Sequence, residues 1–292
     1  MRHNSAMQTI PFITADELAE RYEALLFDAY GVLVHSEGPM PGAPELIAYL
    51  NRHAKPYYIV TNDASRSPQS TSTRYKSFGL AIDADRIITS GSLLPGYFKA
   101  NALQGARCAV LGTRDSASYV REAGGVIVPT DEDFEVLIVA DESGFPFLEH
   151  VDAALTTMFR VIDSGQRPQL LLPNPDLIYS QGEHAFGVAA GSVALILEAA
   201  LQRRYRSREE LRFVPLGKPN TPMYEEGLRR CGTPNVAMVG DQLETDIRGA
   251  NACNIDAVLL TTGVTVDAES AIPAEMRPRW RMRSLRLSQD QD

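Results

Sequence analysis

Short apolar runs that stop abruptly at a polar residue or a glycine, each followed by a helical pattern, leave this chain few folds to adopt. The clearest are Leu25-Leu26-Phe27, Tyr57 to Val60, Val236 to Val239 and Ala257 to Leu260. Strands and helices that alternate in this way build a parallel sheet, so the expected fold class is α/β with a doubly wound parallel sheet. Between the second and third runs lies a long insert with an alternation of its own. It holds Cys108 to Leu111, Val136 to Val139 and Gln169 to Leu172, interleaved with helical stretches at Val151 to Phe159 and Val193 to Tyr205. The insert is large enough for a second α/β domain. The predicted division is a core of residues 15–85 and 212–292 with an insert of 86–211. Proline marks two helix starts, Pro41-Gly42-Ala43-Pro44 and Thr221-Pro222, and Gly232 is the stop signal of the second helix.

The bulk properties exclude several classes. A length of 292 residues suffices for two domains with separate cores. No apolar run approaches the roughly 20 residues that span a bilayer. The first 15 residues lack the continuous apolar stretch and small-residue cleavage site of a secretory leader. A cytoplasmic protein without a membrane partner is therefore expected. The net charge of −9 argues against a nucleic-acid partner, although Arg277, Arg279, Arg281, Arg283 and Arg286 make the C-terminus locally basic. Three cysteines, Cys108, Cys231 and Cys253, and five histidines are scattered, without the spacing of a zinc site or a redox dithiol. Reduced thiols are expected.

Four constellations carry chemistry. The run through Phe27 delivers Asp28 to a strand end, followed by Ala29-Tyr30-Gly31, at the edge where ligands bind in open α/β sheets. Taken alone, such an aspartate equally well caps a turn. The second run ends in Thr61-Asn62-Asp63, whose hydroxyl and following N–H groups suit a phosphate but also suit an ordinary helix cap. Third, Lys218 stands between Gly217 and Pro219, where a fixed ammonium would neutralise phosphate charge. Fourth, Gly240-Asp241 ends a strand and Asp246 follows at a helix start. Two carboxylates at that spacing suit Mg²⁺, and the favourable placement of acids at a helix N-terminus explains Asp246 but not Asp241.

Together, in this order, the four resemble the haloacid dehalogenase superfamily, in the branch of sugar-phosphate and nucleotide phosphatases with a large α/β cap between the second and third motifs. The resemblance spans roughly residues 22–282. It takes in Pro41-Gly42-Ala43, Ser65-Arg66, Thr89-Ser90, Asn174-Pro175-Asp176, Gly191-Ser192 and Gly263-Val264. It implies that Asp28 is a nucleophile forming an aspartyl-phosphate. Thr61, Asn62 and Lys218 would hold the phosphoryl group, and Asn174 and Asp176 would meet the substrate from the cap. It further implies Mg²⁺ held by Asp28, Asp241, Asp246 and the main-chain carbonyl of Tyr30. The partner is then a small phosphorylated sugar, polyol or nucleotide, and homodimers through the cap are common in the branch.

One position departs from the pattern. Tyr30 stands where the family usually has a second aspartate that serves as general acid and then base. A phenol, with an ordinary pKa near 10, is a poor base at neutral pH. Asp63 and His35 lie near the motifs and are candidates to replace it. Asp-Ala-Tyr-Gly also resembles the opening of the 2-haloacid dehalogenases, where Asp attacks carbon without a metal. The fourth motif and the large cap favour the phosphatase form. A weakly active phosphoryl-binding protein is the remaining alternative.

Overall fold

The computed structural model describes residues 9–182, 185–208, 210–261 and 272–288. Gly263-Val264 and His184 lie outside them. Six parallel strands form one sheet in the order Trp280–Met282, Asp256–Leu260, Val236–Gly240, Ala24–Phe27, Tyr57–Thr61 and Ile87–Thr89. Alternate side chains of these strands enter two separate cores. Leu25, Phe27, Ile59 and Val258 belong to one, and Ala24, Leu26, Val60 and Met238 to the other. Burial on both faces is why the strands read as continuous apolar runs and not as alternating ones. The doubly wound α/β fold is thus present.

A second parallel sheet runs Val214–Pro215, Gln169–Leu172, Val136–Val139, Arg107–Leu111 and Val126–Ile127. Its helices include Phe147–Asp163 and Ala190–Arg204, which pack on one face with Leu137, Val139 and Leu170. Its other face packs with Leu94, Phe98, Leu216 and Ala64, the last from the loop after Tyr57–Thr61. By sheet membership the joins fall slightly later than 85/86 and 211/212. Ile87–Thr89 extends the first sheet by pairing with Ile59–Thr61, and Val214–Pro215 pairs with Leu171–Leu172 in the second. Both are short edge strands, set by pairing and not by any pattern of their own. An antiparallel hairpin, Ile178–Gly182 with Ala185–Val188, completes the insert.

The predicted helix starts are also present. Pro44 lies in the first turn of Ala43–Arg52, and Pro222–Cys231 ends at Gly232 with a left-handed φ of 69°. Among the described residues no helix is long and apolar enough to cross a membrane. The three cysteines are free, and burial pushes the Cys108 thiol up to about 12.

In the first sheet the chain winds one way from Ala24–Phe27 to Ile87–Thr89 and the other way from Val236–Gly240 to Trp280–Met282. The order reverses between Ala24–Phe27 and Val236–Gly240. Loops diverge there at the strands' C-terminal ends and leave a crevice.

Candidate active site

Register places the first two carboxylates in that crevice. Phe27 pairs with Val239, and the Asp28 N–H donates to the Val239 carbonyl at 2.9 Å, which sets Asp28 beside Gly240-Asp241. Two glycines permit the close approach. Gly31 has φ 84°, and a Cβ there would lie 2.3 Å from Asp241 Oδ2; a Cβ on Gly240 would lie 2.1 Å from Asp246 Cβ. Asp28, Asp241 and Asp246 are all buried and offer oxygens within 4.8 Å of one another.

Lys218 completes the centre. Its Nζ donates to Asp28 Oδ1 at 2.5 Å and to Asp246 Oδ1 at 2.7 Å, and the residue is 2 % exposed. Burial alone would lower its pKa, but Asp246, Asp28 and Asp176 outweigh this and hold it above the ordinary lysine range. Burial pushes the Asp28 carboxyl upward while Lys218 opposes the shift. The other oxygen of Asp246 accepts from the N–H groups of Asp241 and Gln242, both at 3.2 Å. Asp246 thereby fixes the turn that carries Asp241. It sits in a π-helical turn, Leu243–Ile247, that leads into Arg248–Ala252.

Thr61 ends its strand on the same edge, where its hydroxyl oxygen accepts from the Asp63 N–H at 3.2 Å and keeps its own proton to donate. Asn62 has a structural task besides. Its amide oxygen accepts from Lys218 N at 2.7 Å, while its Nδ2 donates to the Lys218 carbonyl at 3.2 Å and to Asp176 Oδ1 at 2.8 Å. One side chain therefore ties the lysine segment to the insert. Asn174 Oδ1 accepts from the Asp176 N–H at 3.0 Å. Burial lifts the Asp176 carboxyl to about 6, against Lys218 and the Asn62 hydrogen bond.

A cavity of about 260 Å³ gathers Asp28, Tyr30, Thr61, Asn62, Asn174, Asp176 and Asp241 on one wall surface. Lys218 and Asp246 are buried behind it and bonded to each other, and Lys218 is bonded to Asp28 as well. Tyr30 lines the cavity with its phenol anchored. Its hydroxyl takes a hydrogen bond from Arg74 Nη1 at 2.6 Å, and its ring meets Tyr179 edge-on at 6.1 Å. Burial, then Asp63, raise the phenol further above its ordinary value. Of the two suggested substitutes, Asp63 lines the cavity, with one oxygen held by Ser65 N (2.7 Å) and Oγ (2.5 Å). His35 is absent from the lining and accepts from the Glu37 N–H.

Sequence reasoning missed part of the wall: Arg74, Tyr179, Thr113 and the run Asp141-Glu142-Ser143. The last could have been found. It follows Val136–Val139 after one alanine, so the strand-end rule that located Asp28 applies to the second sheet as well.

Comparison with known proteins places the chain. A family described as haloacid dehalogenase-like hydrolase matches residues 25–125, and a second, HAD-hydrolase-like, matches 215–286. A solved structure from Cytophaga hutchinsonii, described as a possible sugar phosphatase of the HAD superfamily, is 30% identical with a TM-score of 0.81. The match covers 96% of this chain and 99% of that one. This chain belongs to the haloacid dehalogenase superfamily. As in the branch with an inserted α/β cap, its insert is the cap domain, and the protein is a hydrolase. Dihydroxyacetone phosphatase of Corynebacterium glutamicum is 28% identical over 248 residues, 84% of this chain and 82% of that protein. Glycerol phosphate phosphatase of Mycobacterium tuberculosis, solved in complex with magnesium, shares the fold at 23% identity and a TM-score of 0.75. That match covers 92% of this chain and 77% of that one.

Proposed function

We infer that this haloacid dehalogenase-superfamily hydrolase is a Mg²⁺-dependent phosphatase of small sugar or polyol phosphates, working through an aspartyl-phosphate on Asp28. The convergence of Asp28, Asp241 and Asp246 oxygens within 4.8 Å, beside one buried ammonium, carries the reading. Three carboxylates against one lysine leave a buried excess of negative charge, and hard oxygen donors of this kind fit Mg²⁺. Asp28, Asp241, Asp246 and the Tyr30 carbonyl would hold it. When bound, the ion supplies charge neutralisation for the phosphoryl oxygens.

The chain's own groups account for the rest. Asp28 attacks phosphorus and the ester oxygen leaves, so hydrolysis is divided into two displacements. Lys218 offsets the charge of nucleophile and phosphoryl group, and the Thr61 hydroxyl orients a phosphoryl oxygen. Asp176, held to Asn62, presents the cap side of the site. The names of the relatives in Corynebacterium and Mycobacterium support a small phosphorylated carbohydrate or polyol, and a cavity of about 260 Å³ suits a molecule of that size.

The test is phosphate release from glycerol phosphate and p-nitrophenyl phosphate with Mg²⁺ and with chelator, run beside a 2-haloacid. Metal-independent halide release without phosphate release would establish dehalogenase chemistry instead. Stability gives a second readout. Mg²⁺ at a hundred times its Kd should stabilise the fold by about 2.7 kcal/mol, seen as a rise in Tm. Asp241→Asn should lose most of that rise, and an equal rise in the variant would place the ion elsewhere.

Tyr30 gives a third prediction. Without a base at this position, water attack on the aspartyl-phosphate is slow. Tyr30→Asp should raise kcat on an alkyl phosphate by at least about tenfold, at the modest end of acid-base catalysis. Rapid acid quench should show less phosphoenzyme at steady state. An unchanged kcat in a folded, Mg²⁺-binding variant would show that Tyr30, under Arg74 and against Tyr179, chiefly shapes the pocket.

A further inference from the structure

Most carboxylates on the cavity wall already have a donor. Asp28 has Lys218, Asp63 has Ser65 and Arg66, Asp141 has Ser143 N (2.9 Å) and Oγ (2.5 Å), and Asp176 has Asn62. Glu142 differs: among the described residues, no donor from another residue bonds its carboxylate. It is half-buried and lines the same cavity as Asp28, but from the cap. The adjoining Asp141-Ser143 turn fixes the backbone on which it stands.

The geometry points to Glu142 as the acid that protonates the leaving oxygen, supplying from the cap a half of the proton chemistry for which the family usually uses an aspartate at position 30. This rests on the phosphatase reading above. A phosphate ester whose phosphorus meets Asp28 must extend its leaving group into the remaining cavity, whose wall carries Asp63, Arg66, Asp141 and Glu142. As the bond between Asp28 and phosphorus forms and the bond between phosphorus and the ester oxygen breaks, the Glu142 carboxyl proton passes to that oxygen. The alcohol departs neutral, and the resulting carboxylate regains a proton from solvent. In the second displacement water oxygen bonds phosphorus, the Asp28 carboxylate is released, and both water protons leave with the phosphate or pass to solvent.

The electrostatics agree in sign. Burial lifts the Glu142 carboxyl to about 7; Asp141 and Asp63 add to this, and Arg66 opposes it. An acid must carry its proton, so the contribution is present below about 7 and is lost as pH rises through that value. Asp63 is already held by Ser65 and Arg66 and the phenol oxygen of Tyr30 by Arg74, whereas among the described residues no donor from another residue holds Glu142.

The leaving group provides the test, read in kcat/KM, which reports only steps up to departure of the alcohol. Poor leaving groups such as glycerol need the proton; p-nitrophenolate departs without it. In Glu142→Gln, measured with Mg²⁺ in the full chain, kcat/KM on glycerol phosphate should fall about 100-fold. That loss should exceed the loss on p-nitrophenyl phosphate by at least about 30-fold. The decline of kcat/KM above pH 7 on the alkyl ester should disappear, and Glu142→Asp should recover part of the rate. Equal losses on both esters, or no loss on either, would overturn the role while the phosphatase reading stood. A wild-type protein that hydrolyses neither ester would overturn both.

Discussion

Asp28→Asn should lower phosphate release about 10⁴-fold or more and leave no phosphoenzyme in a rapid acid quench. Removal of a covalent nucleophile leaves only binding and electrostatic help, and in enzymes that form acyl intermediates such removals cost about this much or more. The fold should survive, because Lys218 keeps its 2.7 Å bond to Asp246 and the asparagine carbonyl can take the other. Relief of a buried carboxylate whose pKa burial has raised should make the variant at least as stable as wild type. Urea unfolding separates loss of chemistry from loss of structure. A variant that retains a tenth of the rate would remove Asp28 from the reaction.

The second large effect is on stability as well as rate. Lys218→Met should cost about 3–5 kcal/mol at neutral pH, because it leaves Asp28 and Asp246 facing each other in a buried site without their cation. Activity should fall about 10²- to 10³-fold, the cost of removing one fixed electrostatic stabiliser. The pH dependence has a definite sign. A carboxylate whose folded pKa is raised binds more protons in the folded than in the unfolded state, so stability falls as pH rises from the unfolded value of 3.8 through the folded one. Wild type should show this slope at Asp28, and the variant should carry it to higher pH, since the lysine that opposed the shift is gone. Mg²⁺ should raise the Tm of the variant more than that of wild type. A variant equally stable at pH 7, with an unaltered slope, would show that the lysine does not balance these charges.

The carboxylate side of the candidate site was legible in the sequence for a physical reason. Asp28, Thr61, Asp241 and, one turn further, Asp246 stand at the ends of strands whose apolar runs are unmistakable, and parallel strands bring such ends to one edge. Lys218 has no comparable strand in its own sheet, and only the company of the other motifs singled it out. The cap side was less legible. Arg74 and Tyr179 reach the cavity from a helix, Pro68–Ser77, and from a hairpin that has no distinctive pattern, and each meets Tyr30 there. The role of the Asn62 side chain depends on both strands of chain that it bridges, 114 and 156 residues away. Tyr30 was visible as a departure, but Arg74 as its partner lies 44 residues on and follows from no spacing rule.

The sheet order also governs how the chain is made. Ala24–Phe27 is a central strand, yet its neighbour Val236–Gly240 emerges from the ribosome roughly 200 residues later, about 10–40 s at ordinary rates of synthesis. Throughout that interval one edge of an entirely apolar strand is unpaired, which is the condition that invites association with other chains. The insert, with its own sheet and core, can fold meanwhile and separates the two halves that must meet. The nascent protein should therefore depend on chaperone cover until Val236–Gly240 docks. The same event brings Asp241 to Asp28, so the chain acquires a complete charge centre only when its most exposed edge closes.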